Sequence, residues 1–204
     1  MLMTELSTDR LDLRGLAATA ERYFERYRYP EWLREHSRVV GKIAAVLAAA
    51  SARAGHPVDV PAVTLAGYLH DIGKSPLLAG DERPHELLSA LVLSAEGRTA
   101  LVEPARRHPV YALTDPARAP RTLAERIVAL ADRRGALTVV SVEARCTEQA
   151  ARDPRFAAQR PAQLAAAIRL EAEVFAPLPF EPDALAAYVA RSDGDAAVAA
   201  AVAR

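Results

Sequence analysis

Apolar residues recur three and four positions apart through stretches otherwise filled with charge and alanine, and that spacing admits little but helix. From residue 31, the set Leu33, Val39, Val40, Ile43, Val46 and Leu47 predicts one long helix running to about residue 54, where Gly55-His56-Pro57 makes a turn. Leu13, Leu16, Ala20, Phe24 and Tyr27 predict an earlier helix over residues 11–29, interrupted by Pro30. The chain is dense in Ala, Leu, Arg and Glu, and only 5 % of it is aromatic, which favours helix over strand. The expected class is all-α, a compact multi-helix bundle.

Further punctuation divides the rest. Pro61 suits a first helical turn, and Val63, Leu65, Ala66 and Leu69 form a short buried helix that runs into His70-Asp71. Residues 75–84 read as a loop, a helix opens at Pro84-His85-Glu86 and ends at Gly97, and residues 98–108 are helical again. A Pro-rich polar connector over 114–121 leads to Thr122, an N-cap with Glu125 three residues on. Ile127, Val128, Leu130 and Ala131 carry that helix to Asp132. The β-branched run over 137–144 suits either strand or helix, and its flanks favour helix. Asp153-Pro154 breaks the chain, and helices follow over 161–175 and 182–190, with an Ala-rich tail over 195–204. At 204 residues, one domain over 1–204 is expected, its core at about 30–150 and its terminal helices packed on that core.

With 26 basic and 26 acidic side chains the net charge is zero, so no global field draws in nucleic acid or an anionic membrane, and neither is expected as a partner. The lone Cys146 excludes an internal disulfide and a Cys-rich metal site, which fits a reducing, cytoplasmic setting. Histidine and carboxylate remain as metal ligands. No signal-peptide core precedes residue 14, and no stretch is apolar enough to span a bilayer. Oligomeric state is not legible.

Chemistry concentrates around His70-Asp71-Ile72-Gly73-Lys74. Neighbouring side chains on a helix point about 100° apart, so His70 and Asp71 can converge on one ion only where the helix ends. Gly73 is expected to supply that ending through a positive φ. His36, His85 and His108 also stand in or at the ends of helices with apolar faces, whereas His56 lies in a solvated turn.

The order His36, then His70-Asp71, then Asp132 resembles that of the HD-domain metal-dependent phosphohydrolases. His36-Ser37-Arg38-Val39-Val40 is similar to the family's first motif, His70-Asp71-Ile72-Gly73-Lys74 to its second, and Ile127-Val128-Ala129-Leu130-Ala131-Asp132-Arg133 to the late helix that completes the site. The resemblance covers about residues 30–150. It implies one ion held by His36, His70, Asp71 and Asp132. By likeness to binuclear members, it implies a second held by Asp71, His85 and His108, with Asp71 as bridge. Imidazole and carboxylate suit Fe, Mn, Zn, Co or Ni, in one or two divalent ions.

Such ions lower the pKa of water so that it attacks near neutral pH, and they polarise a phosphoryl oxygen. Asp71 and Lys74 are the expected catalytic residues, and Lys74, Arg133, Arg134 and Arg145 are candidates to bind a substrate phosphate. The family implies hydrolysis of a phosphate ester or anhydride of a small metabolite, a nucleotide or dinucleoside polyphosphate first. Two alternatives stay open: an oxygenase using a mixed-valent di-iron pair, as in a few HD relatives, and a regulatory metal- or nucleotide-binding module with weak catalysis. No Gly-Tyr-Pro motif follows His108, which disfavours the cyclic-dinucleotide phosphodiesterase branch.

Overall fold

The computed structural model describes residues 12–152 and 157–191. Over these residues the chain is helical, in the order α1 (Leu13–Arg26), α2 (Glu31–Arg53), α3 (Val60–Leu69), α4 (His85–Ala95), α5 (Thr99–Arg106), α6 (Leu123–Arg134), α7 (Val142–Arg152), α8 (Arg160–Phe175) and α9 (Leu185–Arg191). Short 3-10 turns at Ile72–Lys74, Pro76–Leu78, Val110–Thr114 and Pro182–Ala184 join them. The only β pairing among the described residues is a lone bridge between Gly135 and Val139. The expected all-α class holds. No helix among the described residues is long and apolar enough to cross a membrane.

Helix starts follow the local chemistry. The Asp12 carboxylate accepts from the Gly15 N–H, that of Asp59 from Ala62 at 2.9 Å, and the Thr122 hydroxyl from Glu125 at 3.2 Å. Glu125 in turn accepts from the Arg121 N–H at 2.7 Å, one residue before the usual capping-box partner. Gly97 closes α4 with φ at 70°.

The long α2 is the axis of the molecule, with its apolar stripe Leu33, Val40, Ile43, Ala44 and Leu47 fully buried. Helix α3 crosses it closely because the contact is made by small residues. A Cβ on Gly67 would meet Ala44 Cβ at 2.7 Å, and one on Gly41 would meet the Tyr68 ring at 2.4 Å. Helix α6 packs on the same axis, α5 packs on α3, and α4 packs on α5 and the 72–74 turn. At the C-terminal end, α8 covers α6 and α7, and α9 reaches α2. Apolar residues from Ala20 to Val189 join one buried cluster.

Two expectations change. Residues 137–141 are not helical: α6 ends at Gly135, which lies against Val40, and a tight loop follows, held by Val140 N–H donating to Arg134 O at 2.8 Å. Residues 136–138 bend, Val139 bridges back to Gly135, and helix resumes only at Val142. Gly73 does not adopt positive φ either. It is required by proximity, since a Cβ there would lie 2.0 Å from His85 O and 2.7 Å from Ser89 N. The 72–74 turn thus presses directly on the first turns of α4. The Asp153-Pro154 break and the 195–204 tail lie outside the described residues.

Candidate metal centre

His36 projects from the second turn of α2, His70 caps α3, Asp71 precedes the 3-10 turn, His85 opens α4, His108 lies two residues past α5, and Asp132 occupies the last turn of α6. These six side chains meet at one place. His56, the fifth histidine, is exposed in its turn.

Asp71 divides the set. Its Oδ2 lies 3.3 Å from His70 Nε2 and 3.6 Å from His36 Nε2, while its Oδ1 lies 3.3 Å from both His85 Nε2 and His108 Nε2. Asp132 Oδ1 joins the first group, 3.3 Å from His36 Nε2 and 3.9 Å from His70 Nε2. In the second group His85 Nε2 and His108 Nε2 are 3.4 Å apart. Two overlapping triads, His36-His70-Asp132 and His70-Asp71-His108, each bring one donor atom per residue within 4.8 Å of one another.

The buried atoms test whether cations fit. His36 Nε2, His70 Nε2 and Asp71 Oδ1 are shut away from solvent without a hydrogen-bond partner, which is unfavourable unless something else satisfies them. A cation would. The donors are imidazole nitrogen and carboxylate oxygen with no thiolate, a set suited to divalent transition metals, and the HD domain is a divalent-metal-binding fold.

Electrostatics agree. Burial disfavours charge on Asp71, yet the Lys74 ammonium at 2.6 Å and the surrounding imidazoles hold its carboxyl well below the usual range. Asp132 is held down likewise, by Arg133 and His36 against burial. Burial and the Lys74 charge push His85 down to about 3, and burial also lowers His36, so both stay neutral, the form that binds a cation. His70 moves the other way: burial opposes its charging, but the Asp71 and Asp132 carboxylates outweigh it. The field there is one that favours a positive charge.

The three arginines named as candidate phosphate ligands are all buried. Arg133 is 1 % exposed and turned onto Asp132 and Gln149. Arg145, also buried, lies 3.6 Å from Asp132 Oδ1 and 2.6 Å from Glu148. Both bear on the Asp132 carboxylate, Arg133 at Oδ2 and Arg145 near Oδ1, and little of either side chain reaches solvent. Arg134 is bound to Glu171 and, at 3.0 Å, to Pro182 O, so it ties α6 to the C-terminal helices and not to the cluster. Their buried positions arise from α7 and α8 packing on α6, which residue type and spacing do not convey. Lys74 remains at the cluster, 35 % exposed.

Sequence reasoning passed over two groups. Glu86 is 4 % exposed with Oε2 unpartnered, 3.6 Å from His85 Nδ1. Its position directly after a candidate ligand was the available signal. Tyr29, 4 % exposed, stacks on Phe24 at 4.6 Å and has an unpartnered hydroxyl, with its pKa raised by burial and by the Asp71 charge. Nothing local marked it.

No curated protein and no solved structure matches the chain. The sequence profile of the HD domain does, over residues 33–137, a span of just over half the chain that includes all six clustered side chains. The chain therefore belongs to the HD-domain superfamily of metal-dependent phosphohydrolases.

Proposed function

We propose that the chain hydrolyses a phosphate ester or anhydride of a small metabolite, a nucleotide or dinucleoside polyphosphate, at a centre of two divalent ions. One observation carries the reading: Asp71 turns one carboxylate oxygen to His36 and His70 and the other to His85 and His108, the disposition of a bridging ligand. Asp132 would complete the first half of the site. When bound, the ions would supply an activated water and draw charge from a phosphoryl oxygen.

The chain's own residues do the rest. Lys74 is solvent-reachable and adjacent to Asp71, so its ammonium can meet a nonbridging phosphate oxygen while remaining over the carboxylate. Arg133 at Oδ2 and Arg145 near Oδ1 hold the Asp132 carboxylate in place beside His36. Trp32, one turn before His36 on α2, is 52 % exposed, and an exposed indole is a surface on which a nucleobase stacks.

The test couples two measurements: metal content of protein purified without added metal, and phosphate release across nucleotides, dinucleoside polyphosphates and phosphosugars. Near two ions per chain, with turnover lost in His85→Ala and His108→Ala, is expected. About one ion, indifferent to those changes, refutes the two-ion centre. Turnover that requires oxygen refutes the hydrolase.

A further inference from the structure

An imidazole that binds a cation through Nε2 must keep a proton on Nδ1 and donate it to an acceptor, and that acceptor fixes both the tautomer and the ring plane. His70 Nδ1 meets Gly67 O at 2.8 Å, and His108 Nδ1 meets Ala105 O at 2.6 Å. Both acceptors are carbonyls three residues earlier, at the C-terminal ends of α3 and α5, where the last carbonyls of a helix have no helical N–H to accept from. Each of these two ligands is held by the end of its own helix.

His85 cannot be held that way. It opens α4, so the residue three before it, Glu82, lies in the loop and no helical turn precedes it. Its Nε2 faces Asp71 Oδ1 at 3.3 Å and His108 Nε2 at 3.4 Å, and its Nδ1 faces Glu86 Oε2 at 3.6 Å. Glu86 is buried, and that same Oε2 has no hydrogen-bond partner. Tyr111, in the 3-10 turn after His108, is also a neighbour of Glu86, and its pKa is raised by burial and by that carboxylate. The His85 ring also has room to complete the contact, with 28 % of its side chain exposed against 7 %, 0 % and 2 % for His36, His70 and His108.

Resting on the two-ion reading above, we propose that Glu86 is the positioning residue for His85, holding its Nδ1–H so that Nε2 serves the second ion. The two halves of the site differ in charge. The first has the carboxylates of Asp71 and Asp132, the second only its share of Asp71. A carboxylate acceptor behind His85, where His70 and His108 have carbonyls, makes that imidazole a stronger donor and returns negative charge to the poorer half. Affinity for the second ion is therefore set by Glu86, and affinity for the first is not.

The experiment is a Mn²⁺ titration of the full chain after chelator stripping, followed by calorimetry, for wild type, Glu86→Gln and Glu86→Met. Wild type is expected to bind in two steps. Glu86→Met, similar in volume but without an acceptor, weakens the second step by roughly 10- to 100-fold and leaves the first unchanged. Glu86→Gln keeps an acceptor oxygen without the charge, so it falls between. It is also nearly isosteric, so it carries the test if the Met variant does not fold. Second-step affinities equal to wild type in Glu86→Gln and Glu86→Met, or equal weakening of both steps, overturn the assignment. A single step in wild type instead overturns the two-ion reading on which the assignment rests.

Discussion

Gly73→Ala isolates the contact that aligns the 72–74 turn with α4. The added Cβ would sit 2.0 Å from His85 O and 2.9 Å from His85 C, against an ordinary contact of 3.4 Å or more. Both opposing atoms are backbone, so no side-chain rotation relieves the clash, and α4 must step away by on the order of 1 Å. That step also stretches the buried bond in which Gly73 N–H donates to Ser89 Oγ at 2.9 Å. Overpacking costs about 1–3 kcal/mol and a weakened buried hydrogen bond about 1 kcal/mol more, so a loss of about 3 kcal/mol is expected. In urea, with a slope of about 2 kcal/mol per molar, the unfolding midpoint should fall by about 1.5 M. Gly80→Ala is the control: nothing lies within 4 Å of its Cβ, so it should be neutral or gain about 0.5 kcal/mol from the stiffer unfolded chain. A Gly73→Ala midpoint indistinguishable from that of Gly80→Ala would refute the close-approach argument.

Other perturbations probe separate links. Asp71→Asn keeps the volume but removes the charge shared by both histidine pairs, so both ions should be lost on metal analysis; retention of either would deny Asp71 the bridging role. Tyr29→Phe removes a buried hydroxyl without a partner and should raise stability by about 1 kcal/mol, read as a melting temperature about 3 °C higher. A lower melting temperature would mean that the hydroxyl makes a favourable contact. Tyr27, desolvated and donating to Glu96 at 2.7 Å, is pushed up to about 12 from 10.0. Its protonated form is favoured in the folded state, so that stabilisation is complete below pH 10 and lost as pH rises from 10 to about 12. Tyr27→Phe should flatten the alkaline limb of a stability-against-pH curve, and an unchanged limb would assign the effect elsewhere.

What could be read from the chain was whatever is encoded locally. The three-and-four spacing of Leu33 to Leu47 marks α2, and Asp59 with Pro61, or Thr122 with Glu125, marks where α3 and α6 begin. His36, His70, Asp71 and Asp132 could be picked out because they sit in three recognisable stretches, within α2, just past α3 and at the end of α6. Roles that depend on a neighbour from another element were not legible. Nothing in residue type or spacing shows that Arg133 and Arg145 are buried against Asp132. Gly73 looks like a helix terminator until α4 is laid across it. The 137–141 stretch carries a β-branched pattern compatible with either state, and the loop it forms is closed by Val140 N–H donating to Arg134 O and by the Gly135–Val139 bridge.

The cluster also has a history along the chain, because its six side chains are strung from His36 to Asp132. A nascent chain that has paired α2 with α3 already holds His36, His70 and Asp71 together, using contacts close in sequence that form early. His85 and His108 arrive with α4 and α5, and Asp132 arrives last, once α6 docks on the axis. Ion affinity should then climb in stages as synthesis proceeds, and tight binding would report that the polypeptide has folded as far as residue 132.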